Sequence, residues 1–368
     1  MTETEPLATD ARTHRPRGNS YDAIRIMAAA SVLVSHHFAL TGKPEPALGN
    51  IHSLGGMAVL VFFSLSGYLV TQSWLVDPHA WRFVARRALR IWPALGLLCV
   101  LSVFFLGPLV TKLSLTDYFS APDTWKYFHA LRLKIMYELP GVFETNAKAG
   151  VVNGSLWTIP VEVRCYVTVV VLGAVGLLRI RWLIPAAVVV AALWFIGVGK
   201  PEILGQRSYN REMFIFFFCG SALSFLQRFW QARPWHWLAA CLVTALAAWL
   251  MGRPYLAVVC ILPYLVVWGG SLPLPGLRHA GRWGDPSYGM YLYAFPIQQW
   301  VIASTLPNLG FAGSMALSLA LTTAMAYLSW HALEKHALRL KPHRSHSARP
   351  APVALQASSA PQASPPTP

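Results

Sequence analysis

The residues with most chemical potential stand where an apolar chain tolerates them least. Tyr21, Asp22 and Arg25 open an apolar run that closes on Ser35, His36 and His37. At about 100° per residue, the steps from Arg25 to His36 overshoot three full turns by only about 20°, so both side chains share one helix face. Asp22 falls about 40° from His36, and His37 about 100° away. That face presents a carboxylate and a guanidinium and, about 16 Å further along, an imidazole that can accept a proton near neutral pH. A lone histidine in a helix is more often a packing residue. Alignment with two charges inside an apolar run makes His36 a candidate general base.

A second set lies in the stretch 81–93, which contains Arg82, Arg86, Arg87 and Arg90. Arg86 and Arg90 are four apart and Arg87 and Arg90 three apart, spacings that share a helix face. Guanidinium groups bind phosphate through paired hydrogen bonds, so the cluster suits a phosphate-bearing ligand. Ordinary charge beside a membrane helix would account for two or three of these arginines, but less well for their running into the apolar segment. The third set is Asn153, Trp157, Glu162, Arg164 and Tyr166. Counted from the segment ends, Glu162 and His36 reach similar depths, about 10 Å and about 8 Å. A carboxylate there would orient the imidazole, fix which nitrogen carries the proton and stabilise the charged ring. Tyr166, one turn after Glu162, is the competing partner. Arg164, two residues on, does not face it.

Only an apolar solvent suits the elements that must hold these residues. With 55% of its 368 residues hydrophobic and 12% charged, the chain has too much apolar surface for a water-soluble globule. Stretches of about 20 apolar residues recur at 22–41, 54–76, 88–111, 154–177, 180–198, 211–228, 235–251, 253–270, 286–305 and 311–333. The expectation is an all-α, polytopic transmembrane helix bundle of about ten spans. Arg12, Arg15, Arg17, Arg25, the arginines of 82–90 and most C-terminal basic residues fall on one side, which places both termini in the cytoplasm. The net charge of +15 thus sits beside helix ends, facing anionic lipid, and does not point to nucleic acid. The five cysteines lie in the expected spans without metal-type spacing, and no metal is called for. Asp22 and Arg25 interrupt what would otherwise be a signal-peptide core, so the first helix is expected to remain uncleaved. Residues 1–20 read as a disordered cytoplasmic N-terminus, and 342–368, rich in Pro, Ala and Ser, as a disordered tail. The longest loop, 112–153, is either a cover over a substrate entrance carrying a short helix or a passive connector.

Taken in order, these segments resemble the membrane acyltransferase 3 family of O-acyltransferases, from residue 21 to about 342. The likeness rests on Arg25 and His36 preceded by Asp22, and on Phe62, Phe63, Ser66, Gly67 and Tyr68. Arg87 and Arg90 continue it, followed by Asn153, Trp157 and Glu162, then Ser287, Tyr288, Tyr291 and Leu292. Many members carry a late-helix histidine where this chain reads Tyr293, Ala294, Phe295 and Pro296. That departure leaves His36 as the stronger catalytic candidate.

The resemblance implies a bacterial inner-membrane enzyme whose domain, 21–341, transfers an acyl group, usually acetyl from acetyl-CoA, to a hydroxyl. The acceptor would be a surface glycan, an exopolysaccharide or O-antigen sugar, handled beside polysaccharide-assembly proteins. A small secreted product such as a macrolide or glycolipid is the second choice. On this reading His36 and Glu162 are catalytic and Arg25, Arg86, Arg87 and Arg90 hold the phosphates of acyl-CoA. Asp22, Ser66, Asn153, Trp157, Tyr166 and Tyr288 support them. Buried charges are also how transporters and flippases bind solutes, but no inverted repeat is evident between the halves. A scaffold subunit is the third possibility, and it would not need His36.

Overall fold

A backbone inside lipid must satisfy its own hydrogen bonds, and runs of about 20 apolar residues do so as helices. The computed structural model describes residues 19–49, 51–197 and 206–342. Its main helices are α1 (Tyr21–Leu40), α2 (Leu54–Val76), α3 (Ala80–Leu101), α4 (Thr158–Ala174) and α5 (Leu183–Gly197). They continue with α6 (Gln206–Phe225), α7 (Pro234–Leu250), α8 (Pro254–Ser271) and α9 (Ser287–Ser329). Each apolar stretch in the sequence contains a helix, and the last two merge into α9 across a break at Gly310, where φ is 62°. Among the described residues, six helical stretches have the length and apolar composition to cross a membrane. They are α1, α2, Ala80–Val110, Gly154–Ala174, α8 and Ser287–Arg339, while α7 is apolar but shorter. The chain is therefore an all-α protein of the multi-pass membrane class. Apart from residues 19, 20 and 342, the flanks 1–20 and 342–368 lie outside the described residues.

α3 starts eight residues before its apolar run does. Asp77 stands just before its first turn and pairs with Arg82 and Arg86, and acidic groups are favourable at a helix N-terminus. The arginines of 82–90 are thereby helical, as their spacing requires. Near its other end α3 widens into a π-turn at Ser102–Leu106, ahead of Pro108, whose ring nitrogen cannot return a hydrogen bond. Tyr118 satisfies the turn by donating its hydroxyl to the Val103 carbonyl at 3.1 Å.

Close helix crossings replace the hydrophobic driving force that lipid removes. α2 packs along α6, and a Cβ on Gly67 would overlap the Phe217 carbonyl while one on Gly220 would overlap the Ser64 carbonyl. Thr71 and Ser221 hydroxyls bond at 2.7 Å across the same crossing, and Ser224 donates to the Tyr68 carbonyl at 2.8 Å. α1 is flanked by α2, α8 and α9. Between α1 and α2 a short antiparallel hairpin, β1 (Ala47–Leu48) and β2 (His52–Ser53), pairs Ala47 with Ser53. The long loop is folded: it carries the short helices Leu115–Ser120 and Pro122–Lys126 and buries Tyr118, Tyr127, Val142 and Phe143 against α3.

Candidate active site

The first turn of α1 brings Asp22 Oδ1 within 2.6 Å of Arg25 Nη2, as their spacing requires. Asp285, just before α9, accepts a hydrogen bond from Arg90 Nη2 at 2.8 Å and lies 3.2 Å from Arg25 Nη1. One carboxylate thus ties α1 to α3, and the Ser287 hydroxyl holds its other oxygen at 2.5 Å. Glu334 supplies a second acid 3.8 Å from Arg90, with Ser329 donating to it at 3.0 Å. The Arg90 guanidinium also lies over the rings of Tyr288 and Trp330, 5.3 and 5.9 Å from their centroids.

Arg87 stands in the same cluster on different terms. Among the described residues it has no ion pair, and its guanidinium lies over the rings of Phe83 and Tyr166 at 5.9 and 5.8 Å. Its Nε is buried without a hydrogen-bond partner. Arg86 is engaged elsewhere, with Asp77 at 2.7 Å, although its Nε and Nη2 are buried and unpartnered. Hydrogen bonds from Arg82 first, then Arg86, hold the Asp77 carboxyl well below the ordinary carboxylate range.

Glu162 departs from the arrangement that depth alone suggested. It accepts a hydrogen bond from the Tyr166 hydroxyl one turn on, and the cations whose charge reaches it are Arg90 and Arg87. No hydrogen bond joins it to His36 among the described residues. The depth count does not hold: Phe295, which walls His36, lies against Gly154 at the start of α4, so His36 is level with that start while Glu162 lies about two turns further along, beside Arg87 and Arg90. Asn153 caps the 3-10 turn Gly154–Trp157 by accepting from Ser155 N at 3.0 Å, and it donates to the Leu292 carbonyl at 2.8 Å. It therefore ties the start of α4 to α9. The Trp157 ring lies 5.9 Å from that of Tyr209, Tyr288 donates to the Ile91 carbonyl at 3.3 Å, and Ser66 is half-buried on α2.

At the other end of α1 two adjacent histidines live differently. His37 is buried, with Nε2 3.1 Å from the Ser314 hydroxyl and 3.2 Å from the Phe311 carbonyl, and Nδ1 3.4 Å from Gln298 Nε2. The His36 ring meets Phe295 edge-on at 5.3 Å, and its buried Nδ1 has no hydrogen-bond partner. Phe295 thus sets an apolar ring against the imidazole.

α9 connects the two ends. From Asp285 through Tyr288 and Tyr291 to Phe295 it runs about 15 Å beside α1, with the Tyr291 hydroxyl 2.8 Å from that of Thr158 and donating to the Ser155 carbonyl at 3.0 Å. Asp285 and Glu334 were not singled out in the sequence because both lie just beyond apolar stretches, where charge is commonplace. The Asp-Pro-Ser run ahead of α9 was the available signal.

The sequence model of the acyltransferase 3 family, described as an acyltransferase domain, matches residues 19–331. The chain belongs to that acyltransferase family. An O-acetyl transferase of Shigella phage Sf6 is 34% identical to this acyltransferase over 338 residues, covering 88% of this chain and 96% of the relative. Nodulation protein 10 of Rhizobium leguminosarum bv. viciae is 27% identical over 372 residues, covering 88% and 94%. No solved structure matches the chain. The protein is an enzyme of the O-acetyltransferase type.

Proposed function

We propose that this acyltransferase moves an acetyl group from cytoplasmic acetyl-CoA to a hydroxyl of a surface glycan, an exopolysaccharide or O-antigen sugar. It would do so from a bundle of about ten spans in the bacterial inner membrane, with both termini cytoplasmic. The observation that carries the reading is the polarity of the site along α1. Arg25, Arg87 and Arg90 gather at one end, and an imidazole with a free ring nitrogen stands at the other. The phage relative, an O-acetyl transferase by name, supports acetyl as the group transferred.

On this reading Arg87 and Arg90, with Arg25 and Arg86 beside them, bind the phosphates of CoA, and the pantetheine arm extends along α9 toward His36. Arg87, which makes no ion pair among the described residues and feels Glu162 only at longer range, binds without first breaking one. His36 takes the proton from the acceptor hydroxyl as that oxygen attacks the thioester carbonyl. The C–S bond then breaks, and the leaving thiolate collects the proton from the imidazolium. Such general-base assistance is worth about 10²- to 10⁴-fold. Glu162, bonded to Tyr166 beside Arg87, belongs to the donor end and shapes the arginine field there.

Purified protein in lipid nanodiscs, given labelled acetyl-CoA and the acceptor glycan, should label the glycan. Movement of substrate across the bilayer without transfer of label would overturn the proposal. Fusions of reporters to each loop should place Arg87 and Arg90 on the cytoplasmic side.

A further inference from the structure

His36 lacks the carboxylate that the sequence assigned to it, and the fold offers another. Glu45 lies in the connection between α1 and β1, half-buried, and accepts a hydrogen bond from the hydroxyl of Ser35, the residue next to His36. Three features hold it there. The hairpin pairs Ala47 with Ser53, Leu54 N donates to the Pro46 carbonyl at 2.7 Å, and Gly55 opens α2 against α1. A Cβ at Gly55 would stand 2.9 Å from Ser35 Cβ and 3.8 Å from Glu45 Oε2, so a larger residue would press on Ser35 and only touch Glu45. Only Oε2 of the carboxylate is taken by Ser35. Oε1 makes no hydrogen bond among the described residues, and neither does Nδ1 of His36. Glu45 is also the carboxylate whose charge reaches the imidazole.

We propose that Glu45 is the positioning residue for His36, its free carboxylate oxygen accepting from Nδ1–H and so presenting Nε2 to the acceptor hydroxyl. The inference rests on the assignment of His36 as general base. A carboxylate on Nδ1 fixes the tautomer and stabilises the imidazolium that forms as the hydroxyl gives up its proton. Glu45 touches no reacting atom; it acts through the ring. Its place in the connection between α1 and β1, rather than inside a span, lets the carboxylate reach the buried Nδ1 side of the imidazole without being carried through the membrane core.

Glu45→Gln tests this directly, because glutamine keeps the size and can still accept from Ser35 while losing the charge. In the full-length protein in nanodiscs, Glu45→Gln should lower kcat roughly 10- to 100-fold, a share of the factor a general base supplies, with KM for acetyl-CoA unchanged. Glu45→Asp should recover part of the loss. Unchanged kcat in Glu45→Gln, with His36→Ala inactive, would overturn the role of Glu45 and leave His36 in place. Full activity in His36→Ala would instead remove the reading on which it rests. A rise in KM with kcat intact would mark Glu45 as an architectural residue and also reject the proposal, as would equal losses in Glu45→Gln and Glu45→Asp.

Discussion

The two ends of α1 spend charge in opposite ways. At the Arg25 end, Asp22, Asp285 and Glu334 answer Arg25 and Arg90, so most charge there is paired and the helices α1, α3 and α9 are locked together by it. At the His36 end there is no such closure: His37 is fully bonded into α9, while His36 beside it keeps a free Nδ1 against a phenylalanine ring. Saturated ion pairs build architecture, whereas a buried polar atom left without a partner costs free energy that only a task or a ligand recovers. The comparison predicts that substitutions at the first end act largely on stability and donor binding, and those at His36 on turnover.

The largest effect should come from His36→Ala, with transfer reduced about 10²- to 10⁴-fold and the protein still present in the membrane at normal abundance. Its neighbour provides the control. His37→Ala should lower thermal stability, since it removes the imidazole's contacts with Ser314, Phe311 and Gln298 that tie α1 to α9, while the protein that remains folded still turns over. If both variants lost activity at full stability, the contrast between the two histidines would collapse.

Next in size is Asp285→Ala. Removing the carboxylate shared by two largely buried guanidiniums leaves Arg25 with Asp22 alone and Arg90 with only the more distant Glu334, and breaking buried pairs costs up to about 3–5 kcal/mol. Thermal unfolding in detergent should show the loss, with Glu334 too distant at 3.8 Å to replace the bond. Arg87→Ala should act in the reverse manner. With no ion pair among the described residues to break, and with Arg90 and Tyr166 still beside Glu162, it should leave unfolding temperature nearly unchanged and raise KM for acetyl-CoA about tenfold, in line with about 1.5–3 kcal/mol for a hydrogen bond to a charged group. Arg87→Lys should fall between, because a lysine loses the paired geometry. Equal destabilisation by Asp285→Ala and Arg87→Ala would show that the cluster does not divide into structural and binding arginines.

The same division explains what could be read from the chain alone. Helices were legible throughout, because an apolar run of about 20 residues leaves the backbone no other way to close its hydrogen bonds. The shared face of Asp22 and Arg25 was legible too, since one helix fixes its own azimuths. Relations between helices were not. Glu162 was placed level with His36 but lies about two turns deeper, beside the arginines, because a count from the segment ends takes no account of how the two helices are offset, and Tyr166 waited one turn along the same helix. Beyond the Asp-Pro-Ser run at Asp285, the acids Asp285, Glu334 and Glu45 carry no pattern in sequence; each lies just outside an apolar run and acquires its partner only when α9, the C-terminal segment or the connection to the hairpin folds back on α1 or α3.

The smallest effect sharpens the comparison by pH. Asp77 is a charge-paired residue like Asp285, but it stands in the turn between α2 and α3, and Arg82 and Arg86 hold its carboxyl below the ordinary range. Since its folded value lies beneath the unfolded value of about 4, the stabilisation is complete above pH 4 and is lost as pH falls through the folded value. Asp77→Asn lacks that term at every pH. The difference in unfolding temperature between the parent protein and Asp77→Asn should therefore be constant from pH 7 to about 5 and shrink progressively below about 4. A difference that stayed constant to pH 3 would mean that the turn depends on the shape of the side chain and not on its charge. Turnover at neutral pH should change little in Asp77→Asn, because freeing Arg86 leaves Arg87, Arg90 and His36 where they are.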